Sequence, residues 1–147
     1  MGIQFWRPPF LAAFCAVLML APQLAAADGP PPAERTAIQD VIKRQLGAFA
    51  RDDAGAAFAI ASPMIQRMFG NPANFLAMVK SGYPRLYRHR WAEFGELAVM
   101  NGELVQSVKF TGADGHQALA LYGMIKDGTG AWRINGCRLF QKEELAA

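Results

Sequence analysis

Apolar residues recur at helical spacing at the start of the region that follows residue 32. In residues 33–52, one stripe is apolar and consists of Ile38, Val41, Ile42, Leu46 and Phe49. Polar and charged side chains occupy the opposite side of the same stretch. A stripe of this width predicts an amphipathic first helix that packs against a core.

Three shorter helices are predicted next from their start signals. Asp53 precedes an alanine-rich stretch, and its carboxylate is a suitable helix cap. Ser62-Pro63 and Asn71-Pro72 each place a capping side chain directly before proline at the first helical position. These signals predict helices that begin at residues 54, 63 and 72.

The spacing of apolar residues changes from helical to alternating in the second half. Tyr83-Pro84 predicts extended backbone, because a residue before proline avoids the helical conformation. Four strands are then predicted, at residues 89–100, 103–111, 117–126 and 131–141. Asn101-Gly102 predicts a tight hairpin between the first two. Helices followed by a meander predict an α+β fold in which N-terminal helices pack on a curved antiparallel four-stranded sheet.

The third and fourth predicted strands are apolar on both faces. In the third strand, one face carries Leu119, Leu121 and Ile125, and the other carries Ala118, Ala120, Tyr122 and Met124. Alternation in the fourth strand places Ile134 and Cys137 on opposite faces. The helices cover one face only, so a second copy of the chain is expected to cover the other, as a homodimer. Strong curvature that buries part of both faces within one chain is the alternative.

The first 27 residues have the pattern of an export signal. Arg7 precedes an uncharged apolar run at residues 10–21, and small residues before Asp28 suit cleavage near Ala27. The run is shorter than the roughly 20 residues of a membrane-spanning helix. We therefore expect an exported protein, periplasmic or secreted, with no stable membrane span after cleavage. An uncleaved anchor is the alternative. The predicted organisation is a signal peptide (1–27), a proline-rich spacer (28–32) and one α+β domain (33–142).

Charge and composition restrict the chemistry of the expected mature domain. Removal of Arg7 lowers the net charge from +3 to +2, which is too small to indicate nucleic-acid binding. Cys137 is then the one remaining cysteine, so no intramolecular disulfide is expected. Two separated histidines, His89 and His116, with one cysteine make a poor metal set, and no metal or other cofactor is expected. Phosphate-loop, dinucleotide and Gly-x-Ser-x-Gly motifs are absent from the sequence.

Four stretches carry a resemblance to a known family. They are residues 57–63, 65–70, 75–79 with Tyr83 following, and 130–137. These stretches resemble an exported bacterial family catalogued as domain of unknown function 4864. The order of helices and strands also resembles the cone-shaped nuclear transport factor two-like superfamily. The resemblance implies a fold, and it brings no catalytic residues because the closer family has none assigned.

Pocket candidates follow from the predicted faces of the strands. His89, Trp91 and Glu93 share one face of the first strand, and Tyr122 belongs to the third. In a curled sheet these four side chains would line the mouth of a pocket. The alternative is that they form core and dimer contacts. No residue is assigned a catalytic role, and Cys137 is interpreted as a small buried thiol.

Three functional hypotheses remain open from the sequence. The first is a non-enzymatic domain that binds a small apolar or amphipathic ligand or a protein partner. The second is a small lyase or isomerase that uses His89, Glu93 or Tyr122 to transfer protons inside the cone. The third is a dimeric interaction module that has no pocket.

Overall fold

The structure, a computed structural model, describes residues 29–142 of the 147-residue chain. Within these residues, helices precede strands in the order α1 (Pro32–Ala50), α2 (Ala54–Ala59), α3 (Pro63–Phe69), α4 (Pro72–Gly82), α5 (Pro84–Tyr87), β1 (His89–Met100), β2 (Glu103–Gly112), β3 (Gln117–Lys126) and β4 (Trp132–Gln141). This order confirms the predicted α+β class. The predicted signal peptide, residues 1–27, lies outside the described residues.

The predicted caps open the three short helices α2, α3 and α4. The Asp53 carboxylate accepts a hydrogen bond from the Ala56 amide at 3.0 Å. The Ser62 hydroxyl accepts one from the Ile65 amide at 3.3 Å, and the Asn71 side chain accepts one at 2.8 Å at the start of α4. Each cap satisfies an amide that has no partner within its own helix.

The prediction of extended backbone at Tyr83-Pro84 was wrong. Tyr83 has φ −132° and ψ 48°, and Pro84 begins the four-residue helix α5. Proline at the first position of a helix removes an amide that has no helical partner in any case. The helix places Leu86 and Tyr87 in the core before β1 begins.

The four strands form one antiparallel meander in the order β1-β2-β3-β4. Asn101 and Gly102, between β1 and β2, both have positive φ, at 51° and 79°. Two such residues in sequence match the twist of the flanking strands, so the predicted hairpin is confirmed. Within the part of the chain that the structure describes, β1 and β4 are the two edges of an open sheet.

The helices and the sheet share one hydrophobic core. Among the strands, the buried residues are Leu97, Gln106, Val108, Phe110, Gly112, Ala118, Ala120, Tyr122, Met124 and Ile134. The strand pairing places all of them on one face, which we call the inner face. The apolar stripe of α1, including Ile38 and Phe49, is buried in the same cluster. The opposite, outer face carries Leu119, Leu121 and Phe140 in half-buried positions.

Bulges interrupt the alternation of both edge strands. The pairing of β1 shifts by one residue between His89 and Trp91 and again between Phe94 and Leu97. The pairing of β4 shifts between Ile134 and Gly136. Each extra residue moves the following side chains to the other face. Ile134 and Cys137 therefore both lie on the inner face, and the prediction that they lie on opposite faces was wrong.

None of the helices in residues 29–142 is long and apolar enough to cross a membrane.

Candidate functional site

A cavity of about 240 Å³ lies between the helices and the inner face of the sheet. Every helix except α2 contributes to its lining, as do β3 and β4. Met68 of α3 marks the open end, since 65% of its surface is exposed. Tyr122 of β3 marks the inner end, since it is 1% exposed. The cavity therefore runs from the surface of α3 into the core.

The wall formed by α3 is attached directly to β4. The Ser62 amide donates to the Ile134 carbonyl at 2.8 Å, and the Ile134 amide donates to the Ile60 carbonyl at 3.2 Å. The Ser62 hydroxyl donates to the Asn135 side chain at 2.9 Å. These bonds fix the start of α3 against the strand that forms the opposite wall.

Aromatic rings form much of the apolar wall. Phe75 of α4 lies 6.3 Å from Phe49 and 5.6 Å from Phe69, measured between ring centroids. The pair with Phe69 is edge-to-face, which is a favourable aromatic geometry. Because these rings come from α1, α3 and α4, their packing holds the helical side of the cavity together.

Few polar groups reach the cavity, and two of them already have partners. The Gln45 amide donates to the Ala57 carbonyl at 3.4 Å. The Tyr83 hydroxyl donates to the Cys137 carbonyl at 2.9 Å. The Tyr122 hydroxyl differs, because it is buried and has no hydrogen-bond partner among the described residues. A buried hydroxyl without a partner is unfavourable for the empty protein.

Burial keeps the titratable groups of the cavity in their neutral forms. Burial raises the pKa of the Tyr122 hydroxyl well above its ordinary value of 10.0, and the nearby Cys137 raises it further. Burial also raises the pKa of the Cys137 thiol, to about 12. A thiol with this pKa is protonated at neutral pH and is a poor nucleophile. The arrangement therefore suits binding better than covalent chemistry.

Tyr122 is the predicted site residue that lines the cavity. Trp91 and Glu93 pair with Thr111 and Lys109, which places both on the outer face. Trp91 is 66% exposed, and the Glu93 carboxylate forms an exposed ion pair with Lys109 at 3.1 Å. These two side chains and Tyr122 are thus on opposite sides of the sheet.

His89 lies apart from both Trp91 and the cavity. The first bulge of β1 turns His89 toward the inner face, where its ring centroid is 5.3 Å from that of Phe110. Its Nδ1 atom lies 2.9 Å from the Leu86 carbonyl oxygen. The imidazole therefore packs at the junction of α5 and β1, and it is not among the residues that line the cavity.

Sequence reasoning missed most of the lining of the cavity. Phe49, Phe75 and Val79 were predicted as core residues, and their spacing carries no sign of a cavity. The half-buried mouth residue Met78 and the exposed Met68 also carry no sequence signal that separates them from ordinary surface apolar residues. A cavity arises where several elements fail to fill the space between them, and no single element encodes it.

The carboxylates of the described residues lie outside the cavity lining. Asp52 is the acid that meets a tyrosine, since the Tyr87 hydroxyl donates to it, but the Asp52 side chain is 51% exposed. Residues 29–142 contain no group of three or more His, Cys, Asp or Glu side chains arranged to hold a metal ion.

Comparison with known proteins gave one match. The family described as domain of unknown function (DUF4864) matches residues 32–147. No curated protein and no solved structure gave a significant match.

Proposed function

The chain belongs to the DUF4864 family, a domain of unknown function, and we propose that it binds a small apolar or amphipathic molecule in the cavity. The cavity itself is the observation that supports this function. An engineered cavity of about 150 Å³ is large enough for benzene, so about 240 Å³ suits a molecule of about ten non-hydrogen atoms. Apolar walls with a few polar groups are typical of ligand pockets.

The lining favours binding over the lyase or isomerase hypothesis. General acid–base catalysis needs a group whose pKa lies near the working pH, within reach of the substrate. Of the three groups considered for this role, His89 and Glu93 lie outside the cavity, and Tyr122 has a pKa well above 10.0. The hypothesis without a pocket is disfavoured by the cavity.

A pair of tryptophan variants on α3 tests the proposal. Ile65 lines the cavity in a half-buried position, and the neighbouring Met64 is 44% exposed and does not line it. Ile65→Trp is expected to fill the mouth of the cavity, and Met64→Trp is the matched control. The wild-type protein is screened by thermal shift against small metabolites and lipids. We expect hits that Met64→Trp retains and Ile65→Trp loses, because only the latter occupies the binding volume.

Two results of this screen would contradict the proposal. The first is a wild-type protein that no compound of a chemically broad set stabilises. The second is a set of hits that stabilise Ile65→Trp as strongly as the wild type, which would place binding elsewhere on the protein.

A second proposal concerns the outer face of the sheet, which we infer to be the interface of a homodimer. Trp91 projects from this face with 66% of its surface exposed, beside the half-buried Leu119 and Phe140. The Glu93–Lys109 ion pair lies in the same row. A twofold axis through this row would place each Glu93 near the Lys109 of the other copy, so the face is able to match itself.

We also propose that the protein is exported after cleavage near Ala27, to the periplasm or beyond. The charge, apolar run and small residues of the first 27 positions support this proposal. The helices packed on one face of a four-stranded meander support membership in the nuclear transport factor two-like superfamily. Radiolabelled or mass-spectrometric determination of the mature N-terminus tests the export proposal, and an intact residue 1 in the exported fraction would contradict it.

A further inference from the structure

The Tyr122 hydroxyl is an unused hydrogen-bonding group at the inner end of the cavity. Less than 1 Å² of its surface is accessible, and it has no hydrogen-bond partner among residues 29–142. A buried hydroxyl in a folded protein almost always has a partner. A group of this kind beside a cavity indicates that the missing partner comes from outside the chain.

The polar neighbours of Tyr122 are committed to other bonds. Gln106 pairs with Tyr122 across the sheet, but its amide nitrogen donates to the carbonyls of Gly95, Glu96 and Ser107 at 2.9–3.2 Å. The Gln106 side-chain oxygen accepts from Gln39 at 3.5 Å. The Tyr83 hydroxyl donates to the Cys137 carbonyl.

The Cys137 thiol is the remaining polar group near the Tyr122 hydroxyl. It lies close enough to raise the pKa of that hydroxyl, although the two do not form a hydrogen bond of ordinary geometry. A thiol is a weak acceptor, so it is a poor substitute for an oxygen partner. A ligand oxygen that displaces this contact would gain a stronger one.

The cavity lining also restricts the charge of the ligand. None of its residues is Asp, Glu, Lys, Arg or His. Burying an ionised group without an opposite charge is far more costly than burying a neutral one. The ligand portion that reaches Tyr122 must therefore be uncharged.

We propose that the cavity takes an uncharged, mainly apolar molecule whose inner end carries a hydrogen-bond acceptor for the Tyr122 hydroxyl. This inference rests on the proposed function and specifies its ligand class. Ketones, esters and ethers belong to this class, whereas carboxylates and pure hydrocarbons do not. Tyr122 selects among molecules of equal size, and the aromatic walls provide the bulk of the contact area.

Three probes of matched size and shape test the selection. Acetophenone carries a neutral acceptor, isopropylbenzene has the same outline without a polar atom, and benzoate is charged. Affinities are measured by isothermal titration for wild type, Tyr122→Phe and Tyr83→Phe. The Tyr83 variant is the control, because that residue also lines the cavity but its hydroxyl is bonded to the Cys137 carbonyl.

The affinity ratio of acetophenone to isopropylbenzene is the decisive quantity, since solvation differences between the probes cancel between variants. We expect Tyr122→Phe to lower this ratio about tenfold, the usual effect of one hydrogen bond. Tyr83→Phe should leave the ratio unchanged, and benzoate should bind at least about a hundredfold more weakly than acetophenone. Because Tyr122→Phe removes only an unpartnered hydroxyl, the variant should fold.

The outcomes separate this inference from the proposed function. If the probes bind but the ratio is the same in wild type and Tyr122→Phe, or if benzoate binds best, the inference is overturned and ligand binding stands. If no probe binds, both proposals are overturned. The infrared carbonyl stretch of bound acetophenone gives an independent reading in the wild type. A shift to lower frequency supports the bond to Tyr122, and an unshifted band overturns it.

Discussion

Asp52 joins three helices through its carboxylate. It follows the end of α1 with φ 53°, a left-handed conformation that asparagine and aspartate tolerate better than most residues. The carboxylate accepts hydrogen bonds from the Tyr87 hydroxyl and, at 2.7 Å, from Arg88. Lys80 of α4 lies 3.8 Å away. Asp52 thereby connects α1 to α4 and to the segment that follows α5.

These contacts make the stability of the fold depend on pH. The hydrogen bond from Tyr87 lowers the pKa of Asp52 below its ordinary value of 3.8, and the bond from Arg88 lowers it further. In the range below about pH 4 the unfolded chain therefore binds more protons than the folded chain. The stabilisation is fully present above the unfolded pKa and is lost as the pH falls through the folded one.

Asp52→Asn tests this dependence with little backbone strain, because asparagine also tolerates positive φ. We expect the variant to be less stable than wild type at pH 6, and the difference to shrink as the pH falls below 4. Urea unfolding at a series of pH values measures it. Asp40→Asn is the control, since Asp40 has one exposed partner, Lys43. A constant difference between Asp52→Asn and wild type across the whole pH range would contradict the linkage.

The sequence located Asp52 and Asp53 at a helix junction and interpreted both through capping. Asp53 does cap α2. The role of Asp52 depends on Tyr87 and Arg88, which are 35 and 36 residues away along the chain. Capping is a local interaction that a sequence pattern shows, whereas a partner at this distance appears only in the folded chain.

Helix α3 depends on a chain of side-chain hydrogen bonds that crosses from helix to sheet. The Ser62 hydroxyl accepts from the Ile65 amide and donates to Asn135. The Asn135 side chain in turn donates to Glu103 of β2 at 3.0 Å. Because α3 has only seven residues, it is too short to be stable by itself in water. Its position therefore depends on this attachment.

Ser62→Ala is expected to destabilise the protein by about 1–2 kcal/mol, the usual loss for a helix cap. It should also speed hydrogen exchange at the Ile65 amide, which loses its bond to the Ser62 hydroxyl. Urea unfolding and hydrogen exchange measure the two effects. Ser81→Ala, which removes an exposed hydroxyl at the end of α4, should change neither. Unchanged protection at Ile65 in Ser62→Ala would show that the cap is dispensable.

At the level of strands, bulges decided which predicted residues meet. Strict alternation places His89, Trp91 and Glu93 on one face, as the sequence predicted. The bulge at Arg90 moves His89 to the inner face and leaves the other two outside. A bulge needs only one extra residue in one strand, and no residue type in this stretch marks it.

The outer sheet face carries the prediction for the assembly of the molecule. We expect a dimer for the wild type at micromolar concentration in size-exclusion chromatography with light scattering. Trp91→Ala should shift the protein toward monomer, because it removes the largest exposed apolar side chain of that face. Val99→Ala is the matched control, since Val99 is also 66% exposed but pairs with Leu104 on the inner-face register.

A wild-type monomer under these conditions would contradict the dimer, as would equal effects of the two substitutions. The cavity opens at α3 and the proposed interface lies on the opposite side of the sheet. Trp91→Ala is therefore expected to leave ligand binding intact, so the two proposals are tested separately.

The sequence by itself determined the helical half, the four strands, the capped helix starts and the Asn101-Gly102 hairpin. Each of these depends on the spacing of apolar residues or on short-range turn and cap chemistry. Only the tertiary structure decided that Tyr122, Cys137 and Phe75 border one cavity and that His89 and Trp91 do not share a site. Cavities and bulges arise from imperfect fit between distant segments, and neighbouring residues in the chain do not record that fit.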